Sequence, residues 1–301
     1  MKHRVAALQM TPGWQPDAAG LARRLRPLVG RAAEEGAELV ALPALVGWAT
    51  AAARLGIPAG APYGLEALAA LDLGGSEARR ALEGAAEEAL GACREAASAC
   101  GVWLVGGSMP QAGEDGALYN AAPVVSPQGE LCGWQRETHV ARAGRAFGLA
   151  RGGELTMIDT AVGRLGLLLG EDVLYPEAAR FLCLLGADIL VHQGAWRSAS
   201  QGEWMSRLWR EVQANQVFGL ESVLAGGGFR GRATVHAPLE MTPARDGVLA
   251  QAAAQEGDEV LTAELDDEAR WAVIEHFPIY DSLNEALYRR YFPALYERGR
   301  Q

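Results

Sequence analysis

The sequence predicts a single α/β domain, with a mixed sheet covered by helices on its outer faces. Apolar runs of strand length alternate with amphipathic stretches of helical period. Several neighbouring strand runs are joined by short turns, which a purely parallel sheet does not allow. No internal repeat or linker-like stretch divides the 301 residues.

Residues 4–9 read as the first strand. Asp17 is placed to cap a helix carrying Leu21, Leu25, Leu28, Ala32 and Ala33 on one face, with Pro27 predicting a kink or a late start. Residues 38–43 form an apolar run suited to a strand covered on both sides. Residues 49–75, rich in Ala, Gly and Pro, read as a long connection or lid. Ser76 is placed to cap a long helix ending near Gly101. Strands are expected over 102–107 and 119–126. Pro127 and Gly129 then make a type I turn into a strand over 132–138. Residues 157–160 and 165–169 form a second hairpin. A helix over 176–186 and a strand over 187–192 follow. The next helix, over 202–219, is expected to bury Met205, Leu208, Trp209 and Val212. Short strands near 222–225, 233–236 and 260–265 complete a body spanning residues 1–276. Residues 277–301 carry Tyr280, Tyr288, Tyr291, Phe292 and Tyr296, an aromatic tail expected to dock on the body or on a partner subunit.

Composition narrows the function classes. Hydrophobic residues at 50% and charged residues at 21% describe a folded chain rather than a disordered one. The 27 Lys+Arg against 37 Asp+Glu give a net charge of −10, which disfavours nucleic acid and anionic membranes as partners. The N-terminal residues lack the h-region of a signal peptide, and no stretch has the length and apolarity of a membrane span. A cytoplasmic protein is expected. Cys93, Cys100, Cys132 and Cys183 have no metal-type spacing and read as small buried hydrophobes.

Four stretches share a pattern. Residues 35–43 (Glu-Gly-Ala-Glu-Leu-Val-Ala-Leu-Pro) lead out of a strand. Tyr119-Asn120, Gly129-Glu130-Leu131 and Arg136-x-Thr138-His139 mark a hairpin. Asp159-Thr160, Gly163-Arg164-Leu165-Gly166 and Tyr175-Pro176-Glu177 with Arg180 mark a strand and turn. Residues 186–190 (Gly-Ala-Asp-Ile-Leu) and Gln213-Ala214-Asn215 close the series. In this order they resemble the nitrilase, or carbon–nitrogen hydrolase, superfamily, from about residue 4 to residue 275. The resemblance implies a four-layer αββα sandwich, dimerised or further assembled. It also implies a mechanism in which a cysteine thiolate attacks an amide or nitrile carbon, a glutamate takes the proton and a lysine stabilises the developing charge.

Carried over residue by residue, the three roles fall on Ala44 for the glutamate, Glu137 for the lysine and Gly170 for the cysteine. None of the three side chains can perform its task. Loss of a nucleophile alone costs about a millionfold in rate. The expectation is therefore a catalytically silent member of the fold that binds a small molecule or a partner protein, without a cofactor. Glu137, Glu171, His192, Trp48 and Trp196 are the residues expected around the vacated centre, the two tryptophans at its mouth. The alternative is a repurposed hydrolase or lyase using Glu137 and Glu171 as acid and base, or a metal held by Glu137, Glu171 and His192. Against the metal stands ion pairing of the two glutamates with Arg142, Arg145 or Arg197. A third reading is a structural role as partner of an active paralogue. Asp172 is expected to support the turn, and Glu137 to favour an amine-bearing ligand.

Overall fold

The computed structural model describes residues 1–58, 60–68, 76–198 and 200–297, without the side chains of Ser76 and of residues 294–297. The capping role expected of Ser76 and the side chain of Tyr296 lie outside the described residues, as does part of the connection over 49–75.

The chain opens with β1 (Lys2–Met10) and α1 (Ala18–Glu34). Asp17 caps α1 by accepting the Gly20 N–H at 2.7 Å. The helix starts at Ala18 and has Pro27 inside it, so the late start does not occur. β2 (Leu39–Ala41) leads to short helices α2 (Ala51–Arg54) and α3 (Leu65–Leu68), then to the long α4 (Ser76–Cys100). The expected open connection thus holds local helix where it is described, and Ala51, Tyr63 and Leu68 in it are buried. β3 (Trp103–Val105), β4 (Met109–Ala112), β5 (Leu118–Val125) and β6 (Leu131–Arg136) follow, with α5 (Arg142–Phe147) after them. The second half contains β7 (Met157–Thr160), β8 (Gly163–Leu169), α6 (Pro176–Leu184), β9 (Ile189–Gly194), α7 (Gln201–Trp204), α8 (Arg210–Asn215), β10 (Phe218–Leu224), β11 (Thr234–His236), β12 (Val248–Gln251) and β13 (Glu259–Asp266). Helices α9 (Asp267–His276) and α10 (Glu285–Glu297) end it.

The expected helix over 202–219 is corrected in two ways. A π-turn segment, Met205–Trp209, separates α7 from α8, and Arg207 within it has φ −103° and ψ −136°. The helix then stops at Asn215 because Gln216 turns left-handed, at φ 52°, and β10 begins at Phe218. Leu208 and Val212 are buried as expected, whereas Met205 is 40% exposed.

The strands form two leaves. One runs β4-β5-β3-β2-β1, with β6 beside β5 and β13 antiparallel to β1. The other runs β7-β8-β9-β10-β11-β12. Both parallel and antiparallel pairs occur, as a mixed sheet requires. The leaves meet where the end of β1 pairs in parallel with β10 through Gln9↔Val223 and Met10↔Leu224. Between them lies an apolar layer that includes Val5, Ala7, Val105 and Val124 from one leaf and Leu167, Val191, Phe218 and Leu220 from the other. Helices α1 and α4 cover the outer face of the first leaf, packing Leu21, Leu25, Ala85 and Ala89 on it. Helices α6 and α8 cover the second with Leu182 and Val212. The order helix, sheet, sheet, helix is the four-layer sandwich expected from the resemblance. No helix among the described residues is long and apolar enough to cross a membrane.

Candidate functional site

β1, β2, β8, β9 and β10 pair in parallel, so their carboxyl ends lie along one edge of the sheet. That edge is where α/β sheets commonly place ligands. Ala44 stands just past β2, Gly170 just past β8, and Gly194 ends β9. Glu137 comes directly after β6, which runs in the same direction as β2 and β3 and so ends at the same edge.

Glu137 is only 4% exposed. Its Oε2 accepts a hydrogen bond from Asn120 Nδ2 at 2.9 Å, and Asn120 Oδ1 accepts one from Trp48 Nε1 at 2.9 Å. The other oxygen faces Gly170. A Cβ added at Gly170 would stand 2.8 Å from Glu137 Oε1, closer than real side chains come. Gly170 also sits at φ +54°, a backbone state that costs most residues energy. Burial pushes the Glu137 carboxyl up to about 8, despite the opposing hydrogen bond from Asn120, and the charges of Asp172 and Glu171 add to the rise. At neutral pH the group is mainly the protonated acid. It therefore presents a hydrogen bond rather than the negative charge that an amine-bearing ligand was expected to meet.

Asp172 holds Glu137 and Gly170 together. One of its oxygens accepts the Leu169 N–H at 3.1 Å, inside the turn that starts at Gly170. The other accepts the Thr138 hydroxyl at 2.7 Å, the Thr138 N–H at 3.0 Å and the His139 N–H at 2.6 Å. His139 Nδ1 lies 3.0 Å from the same oxygen, and its ring stacks on Tyr175 with centroids 3.7 Å apart. The expected supporting role of Asp172 is what these bonds describe: it pins the end of β6 to the end of β8.

His192 packs against the turn at Gly170. It is fully buried, with Nε2 3.2 Å from the Gly170 carbonyl oxygen and Nδ1 3.2 Å from Glu221 Oε1. Glu221 Oε2 lies 3.4 Å from His236 Nε2. Burial alone would raise Glu221, but its hydrogen bonds with His192 and His236 outweigh that and hold the carboxyl down at about 2. Both ring nitrogens of His192 are thus engaged.

Several expectations are corrected here. No group of three His, Cys, Asp or Glu among the described residues is arranged to hold a metal, so Glu137, Glu171 and His192 do not form a ligand set. The arginine pairing does not form either. Glu137 bonds Asn120, Arg145 donates to the Val140 carbonyl and Arg197 pairs with Glu66 at 3.3 Å. Glu171 is half-buried and close enough to Glu137 to perturb it. Trp48 is not at a mouth: it is 1% exposed and meets Phe147 edge-on in the core. Trp196 does lie beside His192, with ring centroids 5.7 Å apart. Of the cysteines, Cys93 and Cys183 are buried with thiols that burial pushes up to about 12, but Cys132 is exposed.

Asn120, Glu221 and His236 are the polar residues that reading the sequence missed. A signal for Glu221 exists, since it is the one charge within the strand run Phe218–Leu224.

The model of the carbon–nitrogen hydrolase family matches residues 4–272. The chain belongs to the carbon–nitrogen hydrolase family. Among curated proteins it is 31% identical to the omega-amidase NIT2 of Danio rerio over 134 residues, which are 41% of this chain and 48% of that protein. It is 26% identical to the omega-amidase NIT2 of Xenopus tropicalis over 200 residues, 64% of either chain. The chain therefore matches less than two thirds of the length of these relatives. Solved structures show the same fold. A carbon–nitrogen hydrolase from Helicobacter pylori G27 superposes with a TM-score of 0.74 at 22% identity, over 95% of this chain and 97% of that one. An amidase from Nesterenkonia sp. AN1, solved as a double mutant with acrylamide, gives 0.72 at 18% identity over 96% and 97%.

Proposed function

We propose that this carbon–nitrogen hydrolase family member has given up thiol chemistry and uses the region around Glu137 and Gly170 to bind a small molecule or a partner protein. In this reading Ala44, Glu137 and Gly170 occupy the positions of the family's glutamate, lysine and cysteine. The observation that carries it is the closeness of Glu137 to Gly170. The carboxyl oxygen takes the space into which a nucleophile's side chain would extend. Cys93 and Cys183 offer no substitute, because burial holds their thiols far from the thiolate form.

One observation favours a second reading. A buried carboxyl with its pKa near 8 is suited to general acid catalysis at neutral pH. Glu137 would then be the acid and Glu171, half-buried beside it, the base.

The test is a turnover assay on simple amides, ω-amides and nitriles, run alongside native mass spectrometry of the freshly purified protein. The first reading expects no turnover above background and a retained ligand or partner mass. Turnover lost in Glu137→Gln and Glu171→Gln would establish the second. Turnover untouched by either variant overturns both.

Assembly belongs to the same proposal. Helix α6 exposes Phe181 and Leu184, and α10 exposes Tyr288 and Phe292 around a shared apolar groove. An exposed apolar surface of this kind fits a subunit contact. We place the interface of a homodimer, or of a larger homo-oligomer, on these helices. The tail contributes to it while tying itself to the body through Tyr280, whose hydroxyl donates to Asn215 Oδ1 at 3.1 Å.

A further inference from the structure

A second cavity, of about 220 Å³, lies beside the Met205–Trp209 segment and is lined by residues of β10 and β12. Trp204, Arg207, Glu221, Arg232 and Gln251 are among its lining residues, whereas Ala44, Glu137 and Gly170 are not. Ser200, Gln201 and Gln255 also line it together with Gln251, yet two of its buried donors are left open. The Trp204 indole N–H and the Arg232 Nε–H are both shielded from solvent and have no hydrogen-bond partner among the described residues. Both groups can donate and neither can accept. Arg207, 4% exposed, brings a second guanidinium, stacked 4.0 Å above the Trp196 ring and spending one donor on the Ser198 carbonyl at 2.9 Å. The break in helical geometry at Arg207 puts this residue in the cavity wall.

Glu221 is the one carboxylate in the lining, and its two oxygens are already engaged by His192 and His236. Two guanidinium groups therefore face one committed carboxylate in the lining, with Glu203 acting on Arg207 from outside it and buried donors left open. A ligand that completes this site must supply acceptors and negative charge. We propose that the cavity binds a small oxyanion, the carboxylate or phosphate group of a metabolite. This proposal is independent of what occupies the region around Glu137.

The experiment is calorimetric titration of the full chain with sodium phosphate and, separately, with sodium succinate, at constant ionic strength set with sodium chloride. One of the two should saturate a single site per chain, and which one does identifies the oxyanion class. Arg232→Gln should weaken that binding by about tenfold or more. Trp204→Phe, which removes the N–H and keeps the ring, should weaken it by about three- to tenfold. Glu137→Gln should leave it unchanged. Far-UV circular dichroism and melting curves establish that the variants are folded, and Trp204→Phe is conservative enough to report if Arg232→Gln is not. Absence of saturable binding by both anions up to about 10 mM overturns the proposal. So does binding that survives both substitutions.

Discussion

Glu137 sets the pH behaviour of the site because its carboxyl is more comfortable protonated than charged. Its folded pKa of about 8 lies above the ordinary 4.5, so the folded state holds the proton more tightly than the unfolded chain does. The stabilisation this confers is complete below about pH 4.5 and is lost as pH rises through 8. Glu137→Gln keeps the acceptor for Asn120 and cannot ionise. At pH 9 it should be more stable than the parent by about 3–5 kcal/mol, with the difference vanishing near pH 4.5, as measured by denaturant unfolding across that range. Gly170 provides a second handle. Gly170→Ala forces a Cβ into a left-handed conformation and against Glu137 Oε1, and should cost about 2–3 kcal/mol. Combining it with Glu137→Ala should recover about 1 kcal/mol relative to the sum of the single effects. Strict additivity would mean that the two residues do not touch.

Between elements, the contact that matters most is made by Asp172, which ties β6 to the turn after β8. Asp172→Ala would strip acceptors from the Leu169, Thr138 and His139 amides together, at a cost of more than about 3 kcal/mol. Amide exchange at those positions should accelerate well beyond the rest of the fold; unchanged protection there would show that the pin is not needed. The sequence made this joint partly legible. Asp172 and the Thr138-His139 pair stand in recognisable motifs, and β1, α1, α4 and the hairpin of β7 and β8 follow directly from period and turn chemistry. β4 escaped because Met109–Ala112 is four residues long and contains Pro110, a poor strand signal. The break at Arg207 escaped because the apolar spacing of Met205, Leu208 and Val212 continues across it. Asn120 and His236 were invisible as site residues for a different reason, and Glu221 showed only as a lone charge in a strand. Their neighbours are set by pairings such as Glu221↔His192 and Gly219↔His236, which no local pattern encodes.

For the whole molecule, the apolar groove between α6 and α10 is the feature that solvent tolerates least. Phe181 is 54% exposed and Phe292 37% exposed. Replacing both with Arg should shift the protein from a dimer or larger assembly to a monomer at micromolar concentration, read by sedimentation velocity. A parent protein that is already monomeric would remove the assembly proposal.

The seam between the two leaves has a mechanical meaning. Gln9 and Met10 pair with Val223 and Leu224, and the Ala225 N–H reaches the Met10 carbonyl at 2.9 Å. The molecule is bound like a book whose spine is only a few peptide units long, its pages held by the grease between them and by the Asp172 clasp at one corner. Load applied to the covers is shared by the whole apolar layer. Prising at residues 9–10, by contrast, would open it along its length.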